Sequence, residues 1–244
     1  MIAIAKKEIS TFFGSSIGYL IIAIFLIATS LFMWIIETDF NVLQYGYANM
    51  DSFFLFSPII FLIFIPAINM QMFSQEYKSG TIELLLTKPI SEIKIIIGKY
   101  LASLFVISLM ILPTICYVIT IFLLGETVGN LDTGAIIGSY IGLFLLSSLF
   151  SAISIFSSSL TSNQIIAYAV GILLSFMYFY GFDLLSDINF LGSLDLWIQK
   201  LGVQYHYTSI SKGILDFSTI TYFITLIILF LKLTELIIIN RKNV

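Results

Sequence analysis

Six apolar runs punctuate the chain, at Ile17 to Ile36, Phe53 to Met72, Leu101 to Leu124, Ala135 to Leu160, Ile165 to Leu185 and Ile220 to Ile239. Each suffices to cross a hydrocarbon core, which takes about 20 helical residues. A lone span must satisfy its backbone hydrogen bonds internally, and none of the runs alternates polar and apolar positions as a barrel strand does. Six transmembrane helices are therefore predicted. The first run is too long and continuous for the core of a cleaved signal peptide and reads as a retained span. Pro58, Pro66 and Pro113 predict kinks in the second and third spans.

Two further segments are amphipathic but too short to span. Ile2, Ala5, Ile9 and Phe12/Phe13 recur at helical spacing with Lys6, Lys7 and Ser10 on the other face, which predicts a helix lying along the inner leaflet. Leu191, Leu194, Trp197/Ile198 and Leu201 repeat the pattern before the last span, where Trp197, Tyr205 and Tyr207 suit the outer interface. A partly embedded outer loop is expected there.

Composition places the chain in a bilayer: 59% of its 244 residues are hydrophobic and 10% charged, against about 45–50% and about 25% in soluble domains. Six spans leave no room for a large soluble unit, so residues 1–244 are expected to form one all-α transmembrane domain. A net charge of -3 without a long Lys/Arg run argues against a nucleic-acid partner. Lys6, Lys7, Lys78, Lys88, Lys94, Lys99, Arg241 and Lys242 gather in the N-terminus, second loop and C-terminus, which the positive-inside rule assigns to the cytoplasm. The first and third loops carry Glu37, Asp39, Asp51, Glu126 and Asp132 with no Lys or Arg, and the fifth carries aspartates against Lys200 and Lys212; these are expected outside. Thr161 to Gln164 reads as a short hairpin on the cytoplasmic side.

The second loop, Phe73-Ser-Gln-Glu-Tyr-Lys-Ser-Gly-Thr-Ile-Glu-Leu-Leu-Leu-Thr-Lys-Pro-Ile-Ser91, is long and patterned. Gly80 permits a tight entry turn, Thr81 is placed to cap a helix beginning Ile82-Glu83-Leu84-Leu85-Leu86, and Pro89 is placed to stop it. Such a helix is either an amphipathic turn packed under the bundle or a docking element, with Glu83 toward a partner and Leu84 to Leu86 packing.

Phe73, Glu76, Gly80-Thr81, Glu83, Leu85-Leu86, Pro89 and Gly98-Lys99 together resemble the signature loop of type 2 ABC exporter permeases. Tyr205-His-Tyr-Thr-Ser-Ile-Ser-Lys-Gly-Ile-Leu-Asp216 is similar to the outward-facing re-entrant element before the last span of that family. Lys6-Lys7-Glu8-Ile9 to Ile17-Gly18-Tyr19, and Gly138-Ser-Tyr-Ile-Gly-Leu143, resemble the permease subunit of the gliding-motility-associated ABC transporter. The resemblance covers nearly all the chain. It implies that Glu76, Gly80, Thr81, Glu83, Leu85, Leu86 and Pro89 couple the spans to a separate ABC ATPase subunit, which binds ATP and Mg. It further implies a second permease chain, identical or different, a membrane-bound accessory subunit, surrounding membrane lipid, and export across a bacterial inner membrane in the service of gliding motility.

No cofactor is expected on this chain itself. Lys99 follows Gly98, but Ile93 stands where a phosphate loop needs its first glycine and Tyr100 replaces the Ser/Thr that would meet magnesium. Gly14-Ser-Ser-Ile-Gly18 fits a nucleophile elbow, yet Ser16 is expected at the cytoplasmic end of the first span and His206, the one histidine, outside. The chain is therefore expected not to be an enzyme. One histidine and one cysteine, Cys116, leave no His/Cys metal cluster and no disulfide framework.

Gly134, Gly138 and Gly142 recur every four residues and mark close helix packing, within the subunit or at a dimer seam. Lys232 and Glu235 share a helix face inside the last span, as a structural ion pair or as part of a substrate path. A six-helix channel or structural membrane anchor would have the same topology. The second-loop pattern favours ATP-coupled export, and the lack of an internal repeat or ionisable relay disfavours a secondary transporter.

Overall fold

In the computed structural model, which describes residues 1–38, 40–45, 49–87, 90–125, 131–187, 195–214 and 216–242, the chain is helical nearly throughout. Its elements are α1 (Ile2–Phe13), α2 (Ser16–Trp34), α3 (Val42–Tyr45), α4 (Asp51–Asn69), α5 (Gln71–Lys78), α6 (Thr81–Leu86), α7 (Glu92–Ile111), α8 (Ile115–Leu124), α9 (Thr133–Leu160), α10 (Gln164–Phe176), α11 (Phe182–Asp187), α12 (Asp195–Leu201), α13 (Val203–Ile210) and α14 (Phe217–Lys242). Asp39, Lys88, Pro89, Glu126, Leu191, Leu194 and the side chains of Leu84 and Leu86 lie outside the described residues.

Six helical stretches are long and apolar enough to cross a membrane: Ser16–Trp34, Asp51–Lys78, Glu92–Leu124, Thr133–Leu160, Gln164–Ser186 and Phe217–Lys242. The six predicted spans are thus present. The largest boundary difference is in the third, which begins at Glu92 rather than Leu101. Its charged first turns stay helical because protein neutralises them: Glu92 accepts from Lys242 at 2.7 Å, and Lys99 is buried among carboxylates. Pro58 and Pro66 lie inside α4, and Pro113 sits in a 3-10 turn, Leu112–Thr114, that joins α7 to α8.

Contacts between distant residues define two ends of the bundle. At the proximal end, α1 packs on the start of α7, Lys242 meets Glu92, and Arg241 donates to the Leu160 carbonyl, so both chain ends lie on one side. At the distal end, Tyr207 meets the start of α4 and Gly213 meets the start of α9.

The central element is α9, which packs against α4, α10, α14, α5, α7 and α13. Small hydroxyl side chains on it permit this close approach. Ser151 donates to Ser103 Oγ at 2.7 Å and Ser157 to the Ala167 carbonyl at 3.0 Å. Ser158 stitches the break between α4 and α5: its hydroxyl donates to the Met70 carbonyl at 2.8 Å and accepts from the backbone N–H groups of Phe73 and Ser74 at 3.0 and 3.2 Å. Phe73 lies in the first turn of α5, beyond the N-cap Met70, where backbone donors lack an acceptor within the helix. Ser158→Ala would remove the side-chain acceptor of the Phe73 N–H in a fully buried setting, at a cost of about 1–3 kcal/mol. The purified variant is expected to unfold at a lower temperature in detergent than the parent chain; equal unfolding temperatures would dismiss the stitch.

Candidate functional site

The proximal end is organised by charge. Lys99 is fully buried on α7, and its ammonium meets Glu8 Oε1 from α1 at 2.8 Å, Glu76 Oε1 from α5 at 3.0 Å and the Met72 carbonyl at 2.6 Å. The Phe73 ring lies 5.0 Å from it. Lys7 completes the cluster, 2.9 Å from Glu76 and 3.4 Å from Glu8. Burial alone would lower the Lys7 pKa; its hydrogen bond to Glu76 and the charges of Glu8 and Glu76 outweigh that and raise it above the ordinary lysine value.

The cluster exists because α1 presents Ile4, Glu8 and Phe12 inward, with Ile4 and Phe12 buried and Ile2 exposed. The expectation that Ile2 joins the apolar face is thereby corrected: the face that packs lies against α7. Gly98 makes the approach feasible, since a Cβ there would stand 2.9 Å from the Met1 carbonyl and 3.1 Å from Ile4 Cβ. Gly18 does the same at the α1–α2 corner, where a Cβ would stand 2.5 Å from the Phe12 carbonyl.

Glu76 is therefore turned inward. Four residues on, Gly80 adopts φ +70, the left-handed region that disfavours side chains, and α6 starts directly after it. Thr81 does not cap α6. Gly80 holds the cap position, Thr81 is the first helical residue, and its hydroxyl pairs with Ser79 at 2.9 Å. The reversed turn needs a glycine where a side-chain cap would otherwise sit. On α6, Ile82 is buried, Leu85 half-buried and Glu83 exposed. Between α6 and the end of α14 lies an open groove of about 880 Å3, lined by Tyr77, Ile82, Glu83, Ile238, Arg241 and Lys242 among others. The Arg241 guanidinium stacks 4.3 Å from the Tyr77 ring.

The other sequence candidates lie elsewhere. Gly138 and Gly142 face Gly213 and Ile210 of the same chain, whereas Gly134 is exposed and has only Asp132 beside it. Lys232 Nζ donates to Glu235 Oε2 at 2.7 Å, with Lys232 largely exposed on the flank of the bundle. Ser16 begins α2 at the proximal end, while His206 lies at the distal end, bonded to the Lys200 carbonyl at 3.0 Å and stacked on Tyr222. No nucleophile–base pair forms between them. Among the described residues no group of three or more His, Cys, Asp or Glu could hold a metal ion.

Lys7, Glu8 and Lys99 are the members of the cluster that sequence reasoning did not assign to a site. The available signal was the spacing of Ile4, Glu8 and Phe12, which puts one acid on the buried stripe of an otherwise basic helix.

Six helices long and apolar enough to cross a membrane give the chain the architecture of a multi-pass membrane protein. The profile of the ABC-2 family transporter proteins matches residues 2–234, nearly the whole chain, and the chain belongs to that family. It is the non-catalytic transmembrane subunit of an ABC transporter, a role that implies association with an ABC ATPase subunit. No curated protein matches the sequence.

Removing one member of a buried charge cluster is costly, about 3–5 kcal/mol, because the partners are left desolvated. For Lys99→Met the loss is expected near the lower end, since Lys7 still faces both carboxylates. Loss of α1 docking should accelerate proteolysis at the Gly14–Ser15 corner. The triple variant with Glu8→Gln and Glu76→Gln is expected to recover most of the stability. Thermal unfolding and limited proteolysis check both; a Lys99→Met protein that matches the parent in each would remove the cluster's structural role.

Proposed function

We propose that this chain is the permease subunit of an ATP-driven exporter whose ATPase docks on the proximal end. The observation that carries the reading is the α5–α6 element. Its short helix is entered through left-handed Gly80, presents exposed Glu83 beside an open groove, and is rooted through Glu76 in the cluster that also grips α1 and α7. Force applied to α6 by a partner would reach three elements together. Gly80 sets the entry turn, Thr81 opens the helix, Ile82 and Leu85 seat it, and Glu83 meets the ATPase; Leu86 and Pro89 complete the segment by the family resemblance. ATP and Mg bind the ATPase.

The distribution of charge supports a cytoplasmic proximal end. Lys6, Lys78, Lys94, Arg241 and Lys242 lie there, whereas Asp51, Asp132 and Asp216 adjoin the distal starts of α4, α9 and α14. Both termini then face the cytoplasm of a bacterial inner membrane, and residues 1–244 act as one transmembrane domain with lipid around its spans. Two permease chains, identical or different, assemble in the working complex. The resemblance of Lys6 to Tyr19 and Gly138 to Leu143 supports a place in gliding motility, beside a membrane-bound accessory subunit.

Glu83→Ala is expected to weaken recovery of the ATPase by co-purification or to uncouple its turnover, with membrane insertion intact. The loss is about 2–5 kcal/mol for a charge pair desolvated in the complex and about 0–1 kcal/mol at an exposed rim. Replacing Thr81 to Thr87 by a flexible linker should abolish both recovery and coupling; full recovery of a coupled ATPase with that variant would sink the docking role.

Sidedness is checked separately in whole cells, in a Cys116→Ala background. Cysteines at Asp132 and Asp195 should react with an impermeant maleimide and one at Lys78 should not, and the reverse pattern would invert the topology.

A further inference from the structure

Two concavities in the distal half of the bundle share a wall. The first is an apolar trough of about 610 Å3 between α8 and α9. On α9 its lining repeats as a single stripe of Thr133, Ile136, Ile137, Tyr140, Ile141 and Phe144. The trough exists because α7 packs against α9, whereas α8, set off by the 3-10 turn Leu112–Thr114, does not continue that packing among the described residues. Its lining is hydrocarbon apart from Thr133 at the head of α9 and the Tyr140 hydroxyl, which already pairs with Thr114 Oγ1 at 3.1 Å. Ile137 and Ile141 are exposed, so the trough opens to the flank of the bundle. From Thr133 to Phe144 the stripe extends about 17 Å at 1.5 Å per residue, close to the roughly 15 Å of hydrocarbon in one leaflet.

The second concavity, about 230 Å3, adjoins the first: Ile136 lines both. It is charged. Asp51 and Asp132 line it from the starts of α4 and α9, and Lys212 from the turn after α13. Asp132 Oδ1 accepts from the Ala135 N–H at 3.0 Å and Asp51 Oδ2 from Asn49 Nδ2 at 2.9 Å, so each carboxylate commits one oxygen and keeps the other. Lys212 is exposed and forms no ion pair among the described residues. Two carboxylates and one ammonium complement a group that carries both signs, an anion for Lys212 and an N–H cation for the carboxylates. The neighbouring trough complements a hydrocarbon chain.

We propose that the two concavities together bind one phospholipid of the distal leaflet with a zwitterionic, primary-amine headgroup, of the phosphatidylethanolamine class. Its phosphate meets Lys212, its ammonium meets Asp51 and Asp132, and one acyl chain follows the trough. An anionic lipid without an amine would gain Lys212 but face two carboxylates. A second copy of this chain could cover the trough, yet it would give no account of the charges beside it. The inference is independent of the ATP-coupled reading and needs only that these helices span a membrane.

The test is native mass spectrometry of the full chain, delipidated in detergent and titrated with phosphatidylethanolamine or phosphatidylglycerol of identical acyl chains. Phosphatidylethanolamine is expected to bind roughly tenfold more tightly, the scale of one charge-assisted hydrogen bond. Asp51→Asn with Asp132→Asn keeps a side-chain oxygen to cap α9 and should erase that preference. Lys212→Gln should weaken both lipids. Ile141→Trp, at a position 41% exposed, should also weaken both by filling the trough. Equal affinity of the parent chain for the two lipids would overturn the proposal without recourse to any variant. So would a preference that survives the paired asparagine substitutions, or an Ile141→Trp chain that binds both lipids like the parent. A chain dimer that Ile141→Trp disrupts while lipid binding is unchanged would assign the trough to a second copy instead.

Discussion

A single buried ammonium sets the arrangement of the proximal end. Lys99 cannot remain charged in an apolar bundle without partners, and it draws them from separate elements: a carboxylate on α1, a carboxylate on α5 and a carbonyl at the start of α5. The docking of the N-terminal helix, the break after α4 and the register of α7 are therefore one problem with one solution. Replacing a satisfied buried cluster by apolar groups is often neutral, whereas deleting one member is not. The contribution of this cluster lies accordingly in selecting one geometry more than in adding net stability.

Hydropathy made the six spans legible because the length of an apolar run and the thickness of a bilayer are matched quantities. It was weaker wherever the partner of an apolar face had to be chosen. An amphipathic α1 was expected along the leaflet, but the pattern does not distinguish lipid from the side of α7, and Ile4 rather than Ile2 is buried. Tyr207 suited an aromatic belt for the same reason, yet it is 2% exposed inside the bundle, where its hydroxyl donates to the Phe54 carbonyl of a different span. The helix that carries the third apolar run begins ahead of it, at Glu92, where Glu92 and Lys99 are each paired with residues far away in sequence.

Short motifs carried a similar lesson. Gly98-Lys99 has the letters that end a phosphate loop, and Gly14-Ser-Ser-Ile-Gly18 those of a nucleophile elbow. The physical reason for the glycines is steric in both cases. Gly98 admits the backbone of Met1, and Gly18 admits the carbonyl of Phe12. Within the second loop the glycine was correctly marked as a turn residue. The cap was assigned one position too late, since a left-handed residue can occupy the cap site itself.

Helix α9 unites these ends. It runs unbroken for 28 residues from Thr133 to Leu160, about 42 Å at 1.5 Å per residue. Ser158, near one tip, holds the broken segment that leads to α6, and Gly138 and Gly142, near the other, carry the end of α13 and the turn after it. A rod of that length has no proline or internal break at which to absorb a displacement. Tilting it about its middle would therefore move the two tips in opposite directions. Communication across the bilayer would then need no relay of side chains: α9 would act as a lever, with its fulcrum where the serine face meets α4 and α7.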